Sequence, residues 1–291
     1  VCASWDADEL SLYGRFDFIL AKDGTPKILE FNADTPTSLL EASVIQWQWK
    51  EDVFPECDQF NGIHEGLVQS WKDIFPKKGE IYFAGALENN EDTGTLQYLA
   101  STAMEAGFST RVLDMQALDL QNGRFFDPAG ELVNRCFKLY PWEWMVDESP
   151  DGCLAEMEWL EPIWKLVMSN KAILATLYEL FPDSPYVLPC YLSRPRSGLF
   201  CKKPVFSREG HNVSVVDIRN WEEHVRIAET EGDYNTGAYV YQEYVEPTVY
   251  SGRYPVIGSW IIGGEAVGIG IRENRMEVTD NLSEFVPHII G

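Results

Sequence analysis

Residues 13–41, YGRFDFILAKDGTPKILEFNADTPTSLLE, limit the possible folds more than any other stretch of the chain. Two runs, 15–21 and 26–32, flank Asp23-Gly24, a dipeptide that favours the type I′ turn of a two-residue β-hairpin. With Asp23 and Gly24 as the loop, Lys22 faces Thr25, Asp17 faces Glu30, and Arg15 faces Asn32. Side chains alternate along a strand, so Arg15, Asp17, Glu30 and Asn32 share one face. Phe16, Phe18, Leu20, Leu29 and Phe31 occupy the other, which is expected to be the core side.

Carboxylates directly across a ladder have Cβ atoms about 5 Å apart and repel each other. A bound cation removes the repulsion, and Asp, Glu and Asn supply the hard oxygens suited to Mg²⁺. A solvated polar face neutralised by Arg15 explains the same spacing. Both readings stand on spacing alone.

The chain has 291 residues, 45% of them hydrophobic, including ten Trp, enough for one large or two ordinary globular domains. Its formal charge of −23 opposes nonspecific binding to nucleic acid or anionic lipid, so neither partner is expected. An anionic ligand such as a nucleotide phosphate must then meet a local cluster of Lys and Arg. Cys2, Cys57, Cys136, Cys153, Cys190 and Cys201 form no CxxC pair and read as free thiols of a reducing compartment. His64, His211, His224 and His288 form no zinc spacing. With no signal peptide and no run of about 18 apolar residues, a soluble cytoplasmic protein is expected. The start at Val1, with an element soon after, reads as an N-terminal truncation.

After the hairpin, apolar periodicity predicts helices at 39–51 and 62–75. The texture changes at Glu80: a strand at 81–87, a helix at 93–106 and a strand at 109–113 make one strand–helix–strand unit, the building block of a parallel sheet. Residues 88–92, ENNED, lie at the carboxyl end of its first strand, where open α/β sheets bind ligands, although a solvated acidic loop fits equally. A strand at 132–139 precedes the aromatic block Tyr140-Pro141-Trp142-Glu143-Trp144. Aromatic rings around Glu143 suit an amine, and suit a core as well. Helix is expected over 159–181, with Lys171 snorkelling to solvent. The last third is strand-rich (LFCKKPVF, NVSVVDI, AYVYQEYV, PVIGSWII, EAVGIGIRE), with helix only around 221–230.

Lys203-Pro204-Val205-Phe206 leads into Ser207-Arg208-Glu209-Gly210 and then another strand. Such a loop can fold backbone N–H groups over phosphate oxygens, with Lys203 supplying charge, though it is no Walker loop. An ordinary hairpin loop with an Arg–Glu pair explains it equally. Gln242-Glu243-Tyr244-Val245 can offer backbone groups to an adenine edge, and Arg272 ends a strand where it can meet phosphate.

The order RFD…ExN, NK, KP…SREGxN, QE and GSW…GIxIRE resembles the glutathionylspermidine synthase family of ATP-grasp ligases, most closely its single-domain bacterial acid–amine ligases. NADTPTSLLEA, LYPWEW, KPVFSREGHNVS and IGSWIIGGEAVGIGIRE carry the same resemblance, which runs from about Tyr13 to His288. It implies an α+β / α/β architecture, the glutathione synthetase-like ATP-grasp fold with a small inserted strand–helix–strand subdomain. Residues 1–291 would form one catalytic unit, with a preATP-grasp-like part near 80–140 and an ATP-binding portion near 160–291.

By position in the family's motifs, Asp17, Glu30 and Asn32 are the ligands of two Mg²⁺ ions, and ATP is the co-substrate. Arg15 and Arg272 fall where the family stabilises the transferring phosphoryl group. Arg15, Phe16, Asp17, Lys171, Lys203, Gly210, Gln242, Glu277, Val278 and Thr279 fall on its ATP contacts. Thr35 and Thr37 replace serines beside the family's peptide substrate. Glu88, with Glu143, is a candidate for holding the amine. The implied partners are a peptide- or glutathione-like acid and a polyamine-like amine, joined as an amide through an acyl phosphate. The amidase domain of bifunctional members is not expected. A nucleotide-binding protein without ligase activity, or a kinase, shares the same metal logic.

Overall fold

A computed structural model describes all residues except 209, 228–229, 231, 233–236 and 277–282. Strands β1 (Tyr13–Leu20) and β2 (Pro26–Asn32) form the expected hairpin. Its loop is longer than expected. The Ala21 N–H donates to the Thr25 carbonyl (2.9 Å), the Gly24 N–H donates to the Ala21 carbonyl (2.8 Å), and Gly24 has φ 82°. Lys22-Asp23-Gly24 is therefore a three-residue loop, with glycine in the left-handed position such loops need. Phe18, Ile19 and Leu20 consequently face Ile28, Lys27 and Pro26. A bulge between Asp17 and Phe18 then takes up Leu29 and restores the facing pairs Asp17–Glu30, Phe16–Phe31 and Arg15–Asn32. The two departures cancel where the polar groups lie.

The face assignment is corrected. Arg15 and Asp17 are only 4% and 2% exposed, whereas Phe16, Phe18, Leu20 and Phe31 are half-buried. The polar face of β1 is the more deeply covered one. Alternation tells which side chains share a face but not which face the rest of the chain covers.

The hairpin closes one edge of a five-stranded antiparallel sheet, ordered Glu284–Val286, Glu265–Asn274, Tyr254–Ile262, β1, β2. A second five-stranded sheet runs Cys190–Tyr191, Tyr239–Glu243, Gly198–Pro204, Ser214–Arg219, Glu222–Ile227. The strand–helix–strand unit appears as Glu80–Gly85, helix Asn90–Glu105 and Ser109–Asp114. It belongs to a parallel sheet completed by Arg135–Leu139 and Glu158–Leu160. Helix Ile63–Ile74 and helix Asn90–Glu105 carry the main core. Leu67, Trp71, Leu96 and Leu99 pack there with Phe83 and Phe137 of the parallel sheet and Trp260 of the hairpin's sheet.

Three helical expectations change. Residues 221–230 hold strand Glu222–Ile227, entered through Asn220 and Trp221 at φ 54° and 71°, the two left-handed residues of a tight hairpin turn. The span 159–181 divides into strand Glu158–Leu160 and helices Lys165–Ser169 and Ile173–Leu180. The span 39–51 opens as a π-helical turn, Glu41–Ile45, before helix Gln46–Val53. The six cysteines are free thiols, and among the described residues no helix is long and apolar enough to cross a membrane.

Candidate active site

Asp17 sits between two arginines. Arg15 Nε and Nη2 donate to Asp17 Oδ1 and Oδ2 at 2.6 and 3.0 Å, and Arg272 Nη2 donates to Oδ2 at 2.7 Å. Arg15 Nη1 also donates to the Thr37 carbonyl. The neighbouring strand makes room for this stack. Asp17 faces Gly258, where a Cβ would come within 2.7 Å of Arg15 Cδ, so the glycine of the GSW motif lets the guanidinium lie flat on the sheet. Burial, and after it the charge of Arg15, pulls the Arg272 pKa below its ordinary value even though Asp17 and Glu30 oppose the shift.

Glu30 takes the lysines. Lys171, expected to snorkel, is 8% exposed, with its Nζ 3.0 Å from Glu30 Oε2 and donating to the Ser207 carbonyl at 2.7 Å. Burial would raise the Glu30 carboxyl, but Lys171, then Lys203 and Arg15, outweigh it and bring its pKa down to about 2. Lys203 Nζ donates to Gln242 Oε1 (2.7 Å) and to the Leu29 carbonyl (3.0 Å), while Gln242 Nε2 donates to the Ile28 carbonyl (2.8 Å). The hairpin bulge is thus tied to the second sheet through Lys203 and Gln242.

These residues border two clefts. One is lined by Lys171, Lys203, Cys201, Gln242 and the segment Glu243-Tyr244-Val245. The other is bordered by Arg15, Asn32, Thr35, Thr37, Arg208 and Arg272. Glu30 and Gly210 line both. Four cations, Arg15, Arg272, Lys171 and Lys203, gather around Asp17 and Glu30 at the junction, in a chain of formal charge −23, while Glu41, Glu91 and Glu243 also line the clefts. An anion is the ligand such a junction attracts.

Among the described residues, no three Asp, Glu, His or Cys side chains form a metal cluster. The hairpin set is two carboxylates and an amide: Asn32 Nδ2 lies 3.2 Å from Asp17 Oδ2 and 3.4 Å from Glu30 Oε1. The two ends of an amide exchange by rotation, so the same position offers an oxygen between two carboxylate oxygens. That donor set fits a hard divalent cation completed by substrate phosphates and water.

The remaining expected residues separate into groups. Thr35 and Glu143 come together on Arg208, whose Nη1 donates to Thr35 Oγ1 (2.5 Å) and Nη2 to Glu143 Oε1 (2.6 Å). Arg208 thus pairs across the cleft, and Glu209 of its own loop lies outside the described residues. Phe16 stacks on Phe31 (centroids 4.0 Å apart) on the opposite face of the hairpin, outside the lining of either cleft. Glu88 is exposed and lines neither cleft, whereas Glu91 borders the second. The 88–92 segment also has a local role: Asn89 caps helix Asn90–Glu105, and Glu91 and Asp92 sit in its first turn, where the helix dipole favours acids. Glu277, Val278 and Thr279 lie outside the described residues. Sequence reasoning passed over Arg208 and Asp34 as site residues, although both stand inside quoted motifs.

The family model for "Glutathionylspermidine synthase preATP-grasp" matches residues 1–291. A Haemophilus influenzae protein named "Putative acid–amine ligase" is 39% identical, covering 98% of this chain and 76% of that protein. The trypanothione synthetase of Crithidia fasciculata is 28% identical over 97% of this chain but 48% of its own length, so the chain spans about half of that relative. A glutathione synthetase-like effector from Globodera pallida shares the mixed α/β fold with a TM-score of 0.60 at 10% identity, covering 97% of this chain and 77% of that one. The chain therefore belongs to the glutathionylspermidine synthase family, whose named relatives are ligases, and is a C–N bond-forming enzyme of that family.

Proposed function

We propose that the protein is an ATP- and Mg²⁺-dependent carboxylate–amine ligase of the ATP-grasp type, working through an acyl phosphate. The observation that carries this reading is the meeting of Arg15, Arg272 and Lys171 on the hairpin carboxylates, with Lys203 on the Leu29 carbonyl beside them, where two clefts join. In this reading the parallel-sheet region near 80–140 is the preATP-grasp-like part and residues near 160–291 are the ATP-binding portion. Adenine lies against Gln242–Val245, and the phosphates run past Lys171, Lys203 and the Ser207–Gly210 loop toward the hairpin.

Asp17, Glu30 and Asn32 would hold Mg²⁺, which neutralises phosphate charge when bound. Arg15 and Arg272, both bonded to Asp17, stand at the hairpin where they can meet the charge that develops on the transferring group. A substrate carboxylate docked along Thr35–Ser38 attacks the γ-phosphorus, and ADP leaves. An amine then attacks the acyl carbon, phosphate departs with the bonding pair, and the nitrogen gives up a proton as the amide forms. The protein contributes position and electrostatics and no covalent intermediate of its own. The acid is peptide- or glutathione-like and the amine polyamine-like, as the family's name suggests.

With glutathione and spermidine as probes, ADP release should require acid, amine and Mg²⁺ together. ATP binding without turnover across a broad acid–amine screen would point to a non-catalytic nucleotide-binding protein. A phosphorylated alcohol in place of an amide would point to a kinase.

A further inference from the structure

The segment directly after Asn32 is gripped by two buried lysines outside the clefts. Lys165 Nζ donates to the Ala33 and Tyr13 carbonyls, both at 2.8 Å, and lies 3.3 Å from Glu161 Oε2. One residue on, Asp34 Oδ1 accepts from Lys138 Nζ at 2.7 Å, and Asp34 Oδ2 accepts from the Trp142 N–H at 2.9 Å. Lys138 comes from strand Arg135–Leu139 of the parallel sheet, donates also to the Tyr140 carbonyl (2.9 Å), and lies 4.4 Å from the Trp142 ring centroid. Lys138 and Asp34 are 0% and 1% exposed.

A sealed ion pair is a poor way to stabilise a fold, since well-packed apolar groups of the same volume do as well or better. Its best use is to make one arrangement the only satisfied one. The arrangement selected here is specific. Asp34 joins the turn that ends the hairpin to the start of helix Trp142–Glu148, which follows the parallel strand. The next residue in each segment, Thr35 in the turn and Glu143 in the helix, accepts from the same Arg208 guanidinium.

We infer that Asp34 is a positioning residue for the acid-docking turn: clamped between Lys138 and the Trp142 amide, it fixes Thr35 and Glu143 as the two jaws that receive Arg208. Without the clamp, residues 33–38 leave the hairpin along more than one path, and the loop carrying Arg208 loses a fixed receiver. The bonds that hold Lys171, Lys203 and Gln242 do not pass through Asp34 and stay as they are.

The test compares wild type, Asp34→Asn and the double variant Asp34→Asn/Lys138→Met, which leaves no unpaired buried charge. Hydrogen–deuterium exchange at 33–38 and 140–144 should quicken by about tenfold in both variants, with β1 little changed. The kinetic arm rests on the ligase reading and uses glutathione and spermidine as probes. The KM for glutathione should rise about tenfold, while the KM for ATP and kcat stay within about threefold. The double variant should recover most of the Tm that Asp34→Asn loses and keep the raised KM. Recovery of KM together with Tm would reduce the pair to a structural one and overturn the inference, as would unchanged exchange at 33–38. A wild type that shows no turnover with this substrate pair counts against the ligase reading alone, and the exchange data then decide the role of Asp34.

Discussion

Two groups of charges lie on either side of Asn32 and are handled in opposite ways. Upstream, Asp17 and Glu30 share Arg15, Arg272, Lys171 and Lys203 in a junction that opens into two clefts, with the Glu30 and Arg272 side chains 27% and 20% exposed. Downstream, Asp34 and Lys138 form a closed and balanced pair. The first group has partners that a ligand can exchange. The second is matched, and its bonds through Asp34 tie the end of the hairpin to the parallel strand and to the helix that follows it. Neighbouring charges thus divide into a reacting set, opened to the clefts through Glu30 and Arg272, and a frame with no such opening.

The contrast is most strongly tested at the frame. Lys138→Met leaves the Asp34 carboxylate buried and unpaired, and should cost about 3–5 kcal/mol of stability, read as a large fall in the denaturation midpoint. A shift of under about 1 kcal/mol would mean that water reaches Asp34 and that the pair is no frame. In the reacting set the effect should move from stability to rate. Asp17→Asn should lower turnover by roughly 10²–10³-fold while depressing Tm far less than Lys138→Met does. Equal Tm losses in the two variants would erase the distinction.

The hairpin's pattern was readable because facing partners follow from arithmetic, and the pairs Asp17–Glu30 and Arg15–Asn32 stand as counted. Yet the count was right for a reason no dipeptide rule contains: a loop one residue longer, compensated by the bulge at Leu29. The sheet's covered face could not be read, since it depends on Trp260 and the Arg15 stack over Gly258, which come from the far end of the chain. Lys171 went astray for the same reason: its partners, Glu30 and the Ser207 carbonyl, are distant in sequence. The strand Glu222–Ile227 departs from the helix expected over 221–230, and the left-handed Asn220-Trp221 turn before it carries no glycine to announce it. Asp34 has no neighbour in sequence that marks its partner. Only the register of a parallel sheet brings Lys138 to it.

The smallest effect concerns pH in the metal-free protein. Glu30 titrates at about 2 in the folded state against an ordinary 4.5, so its contribution to stability is present above the ordinary value and is lost as pH falls from 4.5 toward 2. Melting temperature should drop through that window, and Glu30→Gln should flatten the drop. A variant as acid-sensitive as wild type would place the titrating group elsewhere.

The central claim, that the hairpin junction transfers a phosphoryl group to a carboxylate, is tested most directly by isotope transfer. An acid probe labelled with ¹⁸O in its carboxylate, incubated with ATP, Mg²⁺ and amine, should yield inorganic phosphate carrying one labelled oxygen for each amide formed, and Asp17→Asn should abolish both together. Amide accompanied by unlabelled phosphate would contradict an acyl-phosphate route at this site.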